Sequence, residues 1–109
     1  MNSVILIGRL VRDPEVKTIN GCLTAGFTLA VNRAYKNENG RYDADFISCV
    51  AWRQTADIVS KFLKKGIPVC VAGSIQTRSW EGADGKKQYA TEVLVDRVEF
   101  IAKKEGEQQ

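Results

Sequence analysis

Apolar and polar positions alternate along most of this chain, most clearly from Cys22 to Arg33. There Leu23, Ala25, Phe27, Leu29 and Val31 interleave with Thr24, Gly26, Thr28, Ala30 and Asn32. A period of two predicts a strand with one row against a core, and Gly26 inside it predicts a bend or bulge. Val4 to Leu10 behaves differently. Val4, Leu6 and Leu10 make one apolar row, but Ile5 and Ile7 make the alternate row apolar as well. In a domain of this size, a strand that wants both faces covered predicts that a second subunit covers one of them. In Ala44 to Trp52, ADFISCVAW, the row Ile47, Cys49 and Ala51 turns to the core, while Phe46, Ser48, Val50 and Trp52 face outward. That leaves two aromatic rings about 20 Å apart on an outer face, at ~3.3 Å of rise per residue. Val69 to Trp80, with core row Val69, Val71, Gly73 and Ile75, is a further long strand. Gln88 to Ile101, marked by Val93, Val95, Val98 and Phe100, is another.

The breaks between these runs are turn chemistry. RDPE follows the first strand, and Asn20-Gly21 suits a hairpin that needs positive φ. YKNENGRYD predicts a mobile loop, and EGADGK a second hairpin turn. One segment has helical period: Thr55 to Lys65, with Ile58, Val59, Phe62 and Leu63 as its apolar stripe. Asp57 is expected in its first turn, Lys61, Lys64 and Lys65 in its last, and Gly66 and Pro68 end it. The predicted order is three strands, the helix, then two strands, an all-β chain. That is the element order of an oligonucleotide-binding (OB) fold, a five-stranded Greek-key barrel with one helix between strands 3 and 4. The expected organisation is one domain over 1–102 and a short polar tail, KKEGEQQ, over 103–109.

Composition narrows the function. At 109 residues there is room for one core and one site. The formal charge of +3 matters only if the basic groups gather on one face. Cys22, Cys49 and Cys70 lie far apart inside apolar runs, without zinc or redox spacing, and are expected to be reduced core residues of a cytoplasmic protein. The N-terminus MNSVILIGRL has too short an apolar run for a membrane span and no cleavage-site pattern, so no membrane association is expected. Histidine is absent, and neither a phosphate-binding GK[ST] loop, a nucleophile elbow nor an acidic pair for two metals is present. No catalytic residue, metal or cofactor is expected.

What does stand out is a coincidence of rings and cations. In SIQTRSW the outer row Ser74, Gln76, Arg78 and Trp80 places a guanidinium and an indole about 7 Å apart along the strand. Arg33 with Tyr35, Trp52 with Arg53, and Lys86 and Lys87 with Tyr89 repeat the combination. Binding a single nucleic-acid strand regardless of sequence needs those two ingredients, because every base has a π face and every nucleotide a phosphate. A lone ring or a lone edge cation is ordinarily a subunit contact, a barrel-mouth cover or a solvated charge; four elements carrying both is what favours a site.

In order and spacing, VILIGRLVRDPE, FTLAVNRAY, DFISCVAWR, FLKKG, GSIQTRSW and TEV closely resemble the bacterial single-stranded DNA-binding protein family, over residues 2 to 101. The resemblance implies a homotetramer whose first strand pairs with that of a neighbour. It implies base stacking on Tyr35, Phe46, Trp52 and Trp80, and phosphate contacts from Arg9, Arg33, Arg53, Lys65, Arg78 and Lys87. Members often carry Trp at the Phe46 position and Phe at the Trp52 position, a swap that keeps a π face at both. It also implies a cytoplasmic, nucleoid-associated role in replication, recombination and repair. Replicative members end in a flexible linker and an acidic Pro-Phe tip that recruits replication and repair proteins; this chain ends at KKEGEQQ, so a short form without that tip is expected. Residue chemistry leaves two other readings open: an OB-fold protein-interaction module of a primosome or remodelling complex, and an RNA-binding version of the fold.

Overall fold

The computed structural model describes residues 1–101; the tail expected at 103–109 lies outside them. Six strands and one helix follow in the order β1 (Val4–Leu10), β2 (Glu15–Ile19), β3 (Cys22–Lys36), β4 (Tyr42–Trp52), α1 (Arg53–Phe62), β5 (Pro68–Glu81) and β6 (Lys87–Phe100). They make one sheet in the order β1-β5-β6-β4-β3-β2, and β1 also pairs with β3. Five strands therefore close on themselves as β1-β5-β6-β4-β3. Every pairing in that ring is antiparallel except β4 with β6, which runs parallel through Cys49↔Val93 to Ala51↔Val95. This is the expected OB-type Greek-key barrel, with α1 between the third and fourth strands of the ring.

The chain has six strands, not the expected five, because β2 lies outside the ring, paired only to β3 from Glu15↔Gly26 to Ile19↔Cys22. All five of its residues are exposed. With neither face buried, no hydrophobic alternation marks it in the sequence. The turn joining it to β3 is as expected: Asn20 (φ 51°) and Gly21 (φ 80°) both adopt the left-handed region, the combination that matches the twist of a two-residue hairpin.

The ring is sealed by very little. β1 pairs with β5 along Val4–Arg9, but with β3 only at Arg9↔Ala30 and Leu10↔Leu29. At this seam the backbones touch: a Cβ on Gly8 would lie 2.5 Å from the Ala30 carbonyl oxygen. A second strap crosses nearby, where Gly66 N–H donates to the Leu10 carbonyl at 2.8 Å and Lys65 N–H to Asp13 Oδ1 at 2.8 Å. Inside sit Leu10, Ala25, Phe27, Leu29, Cys49, Ala51, Val69, Val71, Val93 and Val95, the inward rows that alternation assigns to β1 and β3–β6.

Several details differ from expectation. The helix begins at Arg53 and ends at Phe62, where Thr55 to Lys65 was expected, and Asp57 lies beyond its first turn, bonded to Lys61 at 3.1 Å. Its packed residues are Ala56 and Val59, followed by Leu63, while Ile58 and Phe62 are exposed. Both sets are apolar at helical spacing; the small Ala56 is what lets the helix lie close on the barrel. No register shift occurs at Gly26. The irregularities fall between Asn32 and Lys36 and between Ala72 and Gly73. Strands β3 and β4 run on into the expected loop, leaving a tight turn at Asn37–Arg41 closed by Asn37 N–H to the Arg41 carbonyl at 2.7 Å. Ile75 and Phe100 are exposed, and of the three free cysteines only Cys49 is buried, Cys22 and Cys70 being half-buried.

Because the seam leaves no room for a side chain, Gly8→Ala is expected to destabilise the fold by at least ~1–3 kcal/mol, the usual result of overpacking. Urea unfolding checks this. An unchanged midpoint would mean that the seam is not a tight constraint.

Candidate nucleic-acid interface

On the outward face of the barrel, β2, β3 and β4 form the wall of a groove of about 950 Å³ that continues onto β5 and β6. Register explains its floor. Gly26 stands between Glu15 on β2 and Val50 on β4, and Thr28 stands opposite Ser48, so the centre is lined by small side chains. The rim is not small. Trp52 borders it, with Arg12, Lys17 and Arg78, and Gln76 and Glu92 close the far side. Asp13 and Glu15 also line it, so the three cations are matched by three carboxylates, and it is the flat floor and aromatic edge, with cations at the rim, that suit an extended strand with stackable bases.

Trp52 owes its position to a corner. It is extended (φ −125°, ψ 149°) and the next residue, Arg53, adopts φ 57°, a conformation that costs a non-glycine residue of order 1–3 kcal/mol. The chain turns from β4 into α1 there and leaves the indole outside. The same ring borders a second hollow of about 750 Å³, shared with Arg53, Leu23 and Gln54. Phe46 lies six residues back along β4, opposite Ala30 and 67% exposed, on the same outward row as Trp52.

Arg78 and Trp80 meet directly. The guanidinium carbon lies 4.8 Å from the centre of the indole, a cation–π contact, and Nε donates to Glu92 Oε1 at 3.1 Å. Glu92 is the better-buried partner, its side chain 12% exposed, and Gln76 Nε2 also reaches it at 3.4 Å. Arg78 is thus held at Nε, while its side chain as a whole stays exposed. The sequence spacing placed ring and guanidinium side by side; the structure stacks one upon the other, so that one indole face is covered by Arg78.

The remaining expected residues are more scattered. Arg33 forms a forked pair with Asp45, Nη2 to Oδ1 at 2.9 Å and Nε to Oδ2 at 3.1 Å. The hydrogen bond holds the Asp45 carboxyl below its ordinary range and raises the Arg33 guanidinium. Neighbours on a strand face opposite ways, so this pair lies on the side of β4 away from Phe46. Tyr35 stands almost fully exposed on the β3–β4 arm. Lys87, opposite Glu81, is exposed near the tip of the β5–β6 arm, and Tyr89 pairs with Ser79, not with the Arg78–Trp80 row. Arg9 donates to the Gly66 carbonyl at 3.0 Å, and Lys65 holds Asp13 through its backbone; neither lines the groove. Arg12 and Lys17, which do, were missed from the sequence, because their positions follow only from the short strand β2. Among the described residues no group of three or more His, Cys, Asp or Glu is placed to hold a metal, and no helix is long and apolar enough to cross a membrane.

The model of the single-strand binding protein family matches residues 1–101. The chain is 52% identical to a single-stranded DNA-binding protein of Bacillus cereus, over 97% of this chain and 63% of that protein. It is 51% identical to single-stranded DNA-binding protein 3 of Listeria innocua, over 97% of this chain and 67% of the relative. With single-stranded DNA-binding protein A of Bacillus subtilis the identity is 48%, over 97% and 62%. The chain therefore spans somewhat under two thirds of the length of most of these relatives.

Beneath the groove, burial and then the nearby Glu92 charge push the Cys49 thiol up to about 12. A raised value means that the folded chain holds the neutral thiol. Its contribution to stability is intact below the ordinary value of 9.0 and is lost as pH rises from there toward 12. In the native protein at pH 8, Cys49 is expected to resist alkylation and to label fully only in denaturant. Peptide mapping after iodoacetamide treatment checks this, and rapid native labelling at Cys49 would contradict its placement.

Proposed function

We propose that this chain, which belongs to the single-strand binding protein family, coats single-stranded DNA without sequence preference. One observation carries the reading: outward rings at Phe46, Trp52 and Trp80 stand on and around a groove rimmed by Arg12, Lys17 and Arg78. Bases stack on those rings and on Tyr35, and the cations neutralise phosphates. Phe46 and Trp52, about 20 Å apart on β4, take different bases of one extended strand. Arg53 and Lys87 meet the backbone beyond the groove. Arg9 and Arg33 have side-chain partners and contribute charge more than contact, whereas Lys65 is bonded only through its backbone N–H. The work is binding, not catalysis: it keeps a strand from re-pairing and from nucleases in cytoplasmic replication, recombination and repair. The domain that does this is 1–102.

Assembly is part of the same proposal. Beyond the seam at Gly8 to Leu10, β1 pairs only with β5, so its other edge is open along Val4–Ile7 among the described residues. Ile5 and Ile7, 70% and 61% exposed, lie beside Ala72 and Cys70 of β5 and make an apolar outer face. An open edge and an apolar face on one strand suit self-pairing of β1 and stacking of the paired sheets, which gives a homotetramer. Replacing Ile5 and Ile7 together by Lys is expected to yield dimers or monomers in sedimentation. A tetramer that survives the double replacement would remove this account.

The stacking mechanism separates rings from charges. Trp52→Ala and Trp80→Ala are each expected to weaken oligo-dT binding by ~1–3 kcal/mol, with little change in salt dependence. Arg78→Ala is expected to lower the slope of log affinity against log salt by ~0.7, the increment for one phosphate on a single strand. Salt-series titrations of the folded variants measure both. Affinities equal to the parent for both tryptophan variants would sink base stacking and favour a protein interface.

A further inference from the structure

The exposed side of α1 has no role in the lid that the helix makes. Gln54, Ile58, Lys61 and Phe62 recur at the spacing of one helical face, all exposed, while Ala56 and Val59 occupy the packed side. Phe62 is 57% exposed and meets Phe100, 51% exposed, with ring centres 5.9 Å apart and planes at 78°. A T-shaped pair of this kind stabilises itself modestly, but half of each ring remains in water. Lys64 and Lys65 follow directly, and no carboxylate of the described residues lies within ion-pair distance of either. This is the same pairing of flat apolar surface and unpaired cation found along the groove.

The patch is also continuous with the groove. Trp52 borders both hollows, and the second runs over Arg53, Gln54 and Thr55 at the start of α1. From Arg53 to Phe62 the helix rises about 13 Å, less than the ~20 Å from Phe46 to Trp52. We propose that single-stranded DNA passes over Trp52 and along the outer face of α1, stacking a base on the Phe62–Phe100 pair, with Lys64 and Lys65 on its phosphates. This rests on the proposed DNA-coating function and extends its path; the lysines favour a polyanion over an apolar protein partner on this face.

Ultraviolet cross-linking of the parent chain to oligo-dT, followed by peptide mass spectrometry, tests both levels. Cross-links are expected on the Trp52 and Trp80 peptides and also on those holding Phe62 and Phe100. Cross-links at the tryptophans alone overturn the helix path and leave the groove standing; none anywhere overturns the DNA-coating reading itself. Phe62→Leu keeps apolar bulk but removes the π face. It is expected to retain the parent's thermal midpoint and to bind oligo-dT at least about fivefold more weakly, the lower bound for one base–aromatic stack, and Phe62→Tyr is expected to restore binding. Replacing Lys64 and Lys65 by Ala is expected to lower the salt slope by about 0.7 per charge. Unchanged affinity of Phe62→Leu would overturn the path, and a change in sedimentation in place of affinity would also assign the patch to contacts between copies.

Discussion

Closure of the sheet at the β1–β3 seam is the constraint on which the rest depends. Two residue pairs, Arg9↔Ala30 and Leu10↔Leu29, join the first and third strands, and the absence of a side chain at Gly8 lets the backbones come that close. Once the ring closes, strand parity decides inside from outside for every residue. The inward rows are small or branched apolar side chains apart from Phe27, and they complete the core without any of the large outward rings. A ring such as Phe46, two thirds exposed, forgoes on the order of 3 kcal/mol of burial at ~25 cal/mol per Å² for a side chain of about 200 Å². Stability does not account for such residues. The proposed stacking of bases on them would.

How much of this is legible without coordinates depends on whether burial leaves a pattern. β3 and β4 are plain in the sequence because one row of each is in the core. β2 is invisible because neither of its faces is, and with it go Arg12 and Lys17. The helix shows another limit. Ile58 and Phe62 outrank Ala56 in hydrophobicity, so the larger residues look like the packed stripe, whereas a close approach to the barrel selects the smaller one. Aromatic positions on strands were readable since alternation fixes their face. Charge partners were not, because the Arg33–Asp45 and Arg78–Glu92 pairs join different strands and depend on register.

Those pairs explain how a net charge of only +3 can serve a polyanion. Arg33, Lys61, Arg78 and Arg97 each have a carboxylate partner, and exposed pairs of this kind contribute little to stability. Arg12 and Lys17, by contrast, rim the groove without an ion pair among the described residues. The groove lining is balanced overall, with Asp13, Glu15 and Glu92 beside Arg12, Lys17 and Arg78, so what it offers a phosphate backbone is the position of two unpaired cations and not a net excess. Arg78 is a special case, since its partner Glu92 is mostly buried. Swinging the guanidinium away would strand a carboxylate in a poorly hydrated site, which is costly. Arg78 therefore stays on Trp80, with less ordering left to do on binding.

The length of β5 links binding to assembly. β1 pairs with β5 only from Pro68 to Gly73, and β4 meets β6 only from Val93 to Val95. Gln76–Glu81 and Lys87–Glu92 therefore leave the barrel as a two-stranded arm. An isolated two-stranded ribbon is marginal in water, and this one is stiffened near its base by the Arg78, Trp80 and Glu92 contacts. Its outer row continues downward through Ala72 and Cys70 to the face shared with Ile5 and Ile7. One strand thus carries Arg78 and the proposed stacking residue Trp80 on its upper half and the proposed subunit contact on its lower half. If copies assemble through β1 as proposed, several short grooves come together on one assembly, and each further groove meets a bound strand at the effective concentration set by its neighbour.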